Sequence, residues 1–297
     1  MKPLRQVGTD QGALTEEEMR YVDRRVVETV RPLLVGRKLL PVLNLNNAGI
    51  FNVRGYHESD MSQATISRYG KTPMRDRVEL ALFDVEVPVI SKDYQLNWRD
   101  VISSRNGGIP LDIRSAENAG RQVAEEEDRL ILSGEHVGFP ALGIDGLCSA
   151  AGNNINGGTW PTNVIADVSE AIAELEADGH YGPNYALICL SSQYATLRTL
   201  VANTSTFLFE VIAKMVPGGI FVSDNLYPAG GSQASGAASA LVIELQEDNF
   251  ELVVGRDVST YTYQDEDMNL AGKVYEVVTP RIKRADSICD IQTVTLV

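Results

Sequence analysis

The chain is short of the residues that usually carry chemistry. Its three cysteines, Cys148, Cys189 and Cys289, lie far apart and show no C-x-x-C spacing, so neither a disulfide framework nor a thiolate metal cage is implied. They read as buried thiols. The three histidines, His57, His136 and His180, stand apart from one another and from cysteine at any zinc-like spacing, and read as surface or turn residues. No G-x-S-x-G, G-x-x-x-x-G-K-[ST] or G-x-G-x-x-G occurs, which removes the signals of an elbow nucleophile and of a phosphate cradle. No run of about 18 apolar residues is present, so no ordinary membrane span is expected. MKPLRQVGTDQGA is polar, with no basic n-region before an apolar stretch, and this predicts a cytoplasmic protein without a secretory signal. Basic residues are also scarce. The 26 lysines and arginines face 40 acids, and a net charge of −14 argues against a nucleic-acid coat that works by neutralising phosphates. No catalytic residue and no metal site emerge, and no nucleic-acid or membrane partner is expected.

What is present is a globular chain. With 297 residues and 44% hydrophobic content it can build one large domain or two smaller ones. In LTEEEMRYVDRRVVETVRP, Thr15 and Glu18 stand at capping-box spacing, with Leu14 and Met19 placed as a hydrophobic staple. A helix should start at Thr15. Met19, Val22, Val26 and Val30 form its apolar stripe, Arg20, Asp23, Arg24 and Glu28 face water, and Pro32 ends it. LVGRKLLPV, residues 34–42, then reads as an apolar strand carrying Arg37 and Lys38 side by side. Residues 44–75 are polar and punctuated by Gly and Asn, a long insertion without its own core that suggests an arm packing on a neighbouring subunit.

VELALFDVEVPVISKDYQLNWRDV reads as two strands, with Val85, Val87 and Val89 on one side of the second. SAENAGRQVAEEEDRLILSG reads as a long helix, with Ser115 as N-cap and Gly134 at the stop. Its run Glu125, Glu126, Glu127 and Asp128 lacks the E-x-x-H partners of a carboxylate-bridged metal pair and reads as a solvated or subunit-facing stripe. Helix 163–178, strand YALICL, helices 191–202 and 207–216 and strand GIFVSD make an α/β unit. The loop PAGGSQASGAASA separates it from strands FELVVGRDV, VYEVVTPRIKR and ICDIQTVTLV. DEDMNLAGKVYE places Asp265, Asp267, Asn269 and Glu276 at calcium-loop positions, but Leu270 fills the place that needs a turning Gly, so a solvated acidic hairpin is expected.

Taken together, LTEEEMRYVDRRVVETVRPLLVGRKLLPV, VPVISKDYQLNWRD, the helix ending EEEDRLILSGE and GPNYALICLSS resemble the encapsulins, the linocin-type bacteriocin family of icosahedral nanocompartment shells. Segment order is preserved from about Leu14 to the C-terminus. The resemblance implies an α+β, tailed-phage major capsid fold of the Hong Kong 97 type. It would comprise an N-terminal helix and arm (1–43), an extended loop (44–75), a peripheral domain (76–140 with 246–297) and an axial domain (141–245). It implies a homo-oligomer of sixty subunits or a multiple, enclosing a cargo enzyme, a ferritin-like iron-storage protein or a dye-decolourising peroxidase, held by its C-terminal targeting peptide.

Under that resemblance the peptide would sit in an apolar groove beside the first helix, on Leu33, Leu34, Arg37, Leu39, Val254, Asp257 and Tyr261. Arg37 would pair with Asp257 or receive a group from the cargo. Ala202, Asn203, Thr204, Ser205 and Thr206 would line a polar, uncharged five-fold pore. Trp98 matches the tryptophan on which some encapsulins stack a flavin, although a tryptophan here also serves plain packing. The main alternative function is a major capsid protein of a tailed virus or provirus, from which the first structured helix at Thr15, without a long scaffolding segment before it, points away.

Overall fold

The computed structural model describes residues 14–30, 35–58, 77–107, 113–134, 142–202, 204–226, 238–264 and 269–296, with residues 61, 64, 66–68 and 70 between. In chain order the elements are helix α1 (Glu16–Val30), the single turn α2 (Gly36–Leu39), strands β1 (Val42–Asn44), β2 (Asn52–Glu58), β3 (Leu80–Glu86) and β4 (Val89–Leu96), and helices α3 (Trp98–Gly107) and α4 (Arg114–Ser133). Strands β5 (Asn153–Asn156) and β6 (Thr159–Trp160), helix α5 (Val164–Ala177), strand β7 (Tyr185–Cys189), helices α6 (Ser191–Thr196) and α7 (Leu208–Met215) and strands β8 (Gly219–Val222) and β9 (Ala238–Glu244) follow. The chain ends on β10 (Phe250–Gln264), β11 (Leu270–Ile282) and β12 (Ile288–Leu296).

The capping box forms as its spacing predicts. The Thr15 N–H donates to Glu18 Oε2 at 2.7 Å and the Glu18 N–H to Thr15 Oγ1 at 3.3 Å, satisfying two of the donors a helix start leaves open. Val22, Val26 and Val30 are buried, whereas Met19 is 38% exposed and lies off the buried stripe. The valines pack on α4, where Gly120 permits the approach: a Cβ there would stand 2.8 Å from Val26 Cγ1. Helix α4 begins one residue before Ser115, with Ile113 at the N-cap position and no side-chain cap. It stops at Gly134 as expected, because φ there is +78° and a Cβ would meet the Gly146 nitrogen at 2.5 Å.

Among the described residues a first sheet runs β1-β10-β11-β4, with β1 parallel to β10 and the other pairs antiparallel. Helices α1 and α4 pack on it through Tyr94, Leu96, Leu270 and Val274. A second sheet runs β5-β12-β9-β7-β8, with β6 beside β12. One of its faces is covered by α5 and α7 around the fully buried Trp160. Its other face meets the first sheet: Ile188, Leu241 and Ile243 share one core with Ile131 and Leu132 of α4 and with Phe250, Leu252 and Val278. That shared core joins the two sheets. Among the described residues β2 and β3 pair only with each other, and Phe51, Tyr56, Leu80 and Leu82 along this two-stranded arm are exposed.

Several segments differ from the sequence reading. Residues 36–39 form a helical turn, not a strand, because the N–H groups of Val35 and Gly36 at its start meet a carboxylate described below. Helix 191–202 ends at Thr196, and strand β9 and helix α3 are additional elements. β3 pairs with β2 and not with its sequence neighbour β4, so Val85 and Val89 do not share a strand, and Val89 is exposed. β12 leaves the first sheet for the second, pairing with β9 and β5, so residues 288–296 pack with the unit expected over 141–245. His180 is buried, its Nδ1 2.6 Å from Glu244 Oε2. All three cysteines are buried and free.

Helix α3 is tied to α1 by Arg105, whose Nε and Nη2 donate to the two oxygens of Glu18 at 2.9 and 2.6 Å. The Arg105 hydrogen bond is the main reason that the Glu18 carboxyl is lowered from its ordinary 4.5 to about 2. A lowered folded-state value stabilises fully above pH 4.5 and is lost as pH falls through about 2. Glu18→Gln is expected to flatten the acid limb of the thermal-unfolding midpoint against pH; an unchanged limb would remove this pair from the fold's acid sensitivity.

Candidate functional site

Helix α4 carries its small and apolar residues in adjacent pairs: Ala119 and Gly120, Val123 and Ala124, Ile131 and Leu132. Glu127 and Asp128 occupy the same phase, four residues after one pair and four before the next. The helix therefore turns both acids inward, and both are buried. Asp128 accepts the N–H groups of Val35 and Gly36 at 3.0 and 2.9 Å, which fixes α2 as a turn. Burial pushes its carboxyl up to about 6 against those two bonds.

Arg37, on that turn, reaches three carboxylates from three elements. Its Nε donates to Glu127 Oε1 at 2.7 Å, one terminal nitrogen to Asp257 Oδ1 at 2.7 Å, and the other to Glu276 Oε2 at 3.1 Å. Glu127 and Glu276 are fully buried, while the Asp257 side chain is 62% exposed. Desolvation raises the Glu127 carboxyl against the opposing charge of Arg37, and raises Glu276 well above the ordinary carboxylate range. The expected solvated hairpin around Glu276 is thus corrected: that acid points into the fold.

The structure brings Arg37 and Asp257 together and separates the rest of the expected groove. Leu39 is 4% and Val254 1% exposed, both in the core between the sheets, so neither side chain presents a wall to a peptide. Leu33 and Leu34 lie outside the described residues. Tyr261 is 62% exposed and stacks on Tyr263 with ring centroids 6.1 Å apart. Its neighbour Thr260 donates to Asp23 of α1, so strand alternation turns Tyr261 to the opposite face of the sheet. The depression found along α1 is lined by Arg20, Asp23, Arg24, Val27 and Glu28, with a volume of about 460 Å³. It is charged, not apolar.

Residues 200–207 form a tight turn closed by the bridge between Leu200 and Phe207. The Val201 N–H donates to the Thr206 carbonyl at 2.9 Å and the Thr204 hydroxyl to the Val201 carbonyl at 3.0 Å. Ala202, Thr204 and Ser205 are exposed at its tip and Thr206 is half-buried; Asn203 lies outside the described residues. Trp98 opens α3, half-buried, with its backbone N–H donating to Asn269 Oδ1 at 3.3 Å and the Arg99 guanidinium 5.6 Å from its ring centroid.

Two packed sheets, a long helix laid across one of them and a coreless arm define a capsid-type shell subunit. The virus-like particle from Pyrococcus furiosus superposes with a TM-score of 0.68 at 19% identity, covering 93% of this chain and 98% of that one. The capsid of Myoviridae phage XM1 superposes with a TM-score of 0.65 at 11% identity, over 88% and 92% of the two chains. The type 1 encapsulin shell protein EncA of Myxococcus xanthus (strain DK1622) is 28% identical over 289 residues, 96% of each chain. A diheme-cytochrome-encapsulin shell fusion protein of Kuenenia stuttgartiensis is 27% identical over 94% of this chain and 74% of that protein. The family model Linocin_M18, described as encapsulating protein for peroxidase, matches residues 6–279, and the chain belongs to this family of encapsulin shell proteins. It is a structural subunit of a multi-copy shell with a capsid-like fold.

Arg37→Met keeps the stem and strands two buried acids without their cation, so a loss of about 3–5 kcal/mol is expected in chemical denaturation at neutral pH. Acidification, which protonates the acids, should shrink that loss. Asp257→Ala removes only the exposed limb and should cost about 0–1 kcal/mol. Equal costs would contradict the buried character of the junction.

Proposed function

We propose that this shell encloses a cargo enzyme and holds the enzyme's C-terminal tail against the surface formed by α1, Arg37 and Asp257. The observation that carries this reading is the charged depression on α1, which joins β10 through the Asp23–Thr260 bond. Arg20, Arg24, Asp23 and Glu28 offer both signs of charge for fixing a peptide's register, with Val27 beneath for one aliphatic anchor. The family's description favours a peroxidase as guest, and a ferritin-like iron-storage protein suits the same role. The shell performs no reaction in this reading, binds no flavin, and assembles from sixty copies or a multiple of sixty in the cytoplasm. Residues 76–140 and 246–287 would form the peripheral domain, 141–245 with 288–296 the axial domain, and β2–β3 the extended loop.

Co-expression with a tailed candidate guest tests this directly. Electron micrographs should show closed hollow particles containing the guest, and a guest lacking its tail should be left outside. Reversing charge by Arg24→Glu together with Glu28→Lys should lower guest occupancy at unchanged particle yield. Monomers, small rings or particles filled with nucleic acid would overturn the reading.

The turn at residues 200–207 is proposed to line the five-fold opening with small neutral groups. Ser205→Lys leaves the bonds of Thr204 and Thr206 in place and should alter entry rates of small charged solutes in opposite senses for anions and cations, with assembly unchanged. Identical rates would move the pore elsewhere.

A further inference from the structure

The Arg37 junction contains more acceptors than its cation can satisfy. Glu127 gives Oε1 to Arg37 and Glu276 gives Oε2, so each has one remaining carboxyl oxygen. Those oxygens, Glu127 Oε2 and Glu276 Oε1, are buried and receive no donor among the described residues. The two acids take two nitrogens of the same guanidinium, Nε at 2.7 Å and a terminal nitrogen at 3.1 Å, which sets their carboxyl groups side by side. Two carboxylate oxygens meeting in a closed space repel, whereas a carboxylic acid and a carboxylate make a strong bond through one proton.

We propose that the junction holds one proton between Glu127 and Glu276, and that this shared proton, not the ion pair alone, fastens α2 across α4 and β11. With it, the two buried acids carry one negative charge between them, matched by Arg37, while Asp257 completes the contact from the solvent side. Without it, two buried charges face one cation. The groups around the pair are few. From α2 come Arg37 and the exposed Lys38, from α4 the neighbouring Asp128, from β10 Asp257, and β4 opposes Glu276 with the apolar Ile90. Asp128 is engaged by two backbone N–H groups and supplies no proton to the pair.

The sign of the pH dependence follows. An acid that holds its proton more tightly folded than unfolded stabilises fully below the ordinary carboxylate value of 4.5, and that stability is lost as pH rises through the folded value. This is the reverse of the Glu18–Arg105 pair, which fails in acid. The device thus weakens as pH rises and releases the α2 turn.

The test uses assembled shells. Infrared spectra of the native protein at neutral pH should show the carbonyl band of a protonated carboxylic acid that disappears on alkalinisation in step with a falling unfolding midpoint. Asp290, another buried acid whose carboxyl is raised by burial, is first removed by Asp290→Asn. Glu276→Gln, whose amide donates a permanent N–H to Glu127, should erase that band and flatten the decline. Should Glu276→Gln fail to assemble, Glu127→Gln provides the same subtraction from the other side, and the native titration stands by itself. Absence of the band in the native shell, or a decline unchanged by either substitution, overturns the shared proton.

Discussion

Placing charge inside a protein is costly, and this subunit does so at the place where its pieces meet. Arg37 draws together α2, α4 and the hairpin of β10 and β11, which arrive from three distant parts of the chain. A junction of that kind is poor stabilisation by itself, since apolar residues of equal volume would serve as well or better. What it supplies is discrimination: slipping any one of the four elements leaves a buried group without its partner. The contacts of the apolar core between the sheets are non-directional, whereas the polar knot beside it demands fixed partners and geometry.

The rest of the architecture is arranged around that fixed point. Helix α4 presents one edge to α1, through Gly120, and another to the core shared by both sheets, through Ile131 and Leu132. The return of β12 to the second sheet stitches the end of the chain into the unit that begins after α4. The two sheets are thereby held by the chain's crossings as well as by packing. The polar turn at residues 200–207 and the β2–β3 arm project from this body with little core of their own.

How much of this could be read in advance depends on the range of the interaction. The α1 cap, the Gly134 stop and the long C-terminal strands follow from contacts within a few residues, and the sequence shows them. The burial of Glu127 and Asp128 is also legible in their spacing, since they fall in phase with Ala119, Val123 and Ile131, although their charge points the other way. α2 could not be seen, because its cause is Asp128, 92 residues away. The pairing of β3 with β2, the destination of β12 and the burial of Leu39, Val254 and His180 likewise rest on tertiary contacts. Family likeness supplied the fold and the shell role, which local pattern does not contain, while the expected groove residues were dispersed by burial and strand alternation.

The β2–β3 arm has one further consequence. Phe51, Leu80 and Leu82 stand in water on a free subunit, so every unassembled copy bears a sticky limb that only another molecule can shelter. Free subunit concentration then has a ceiling: below it, scattered copies persist, and above it added protein goes into closed particles or amorphous aggregate. Synthesis rate, by deciding how quickly that ceiling is crossed, becomes a determinant of which of the two products forms.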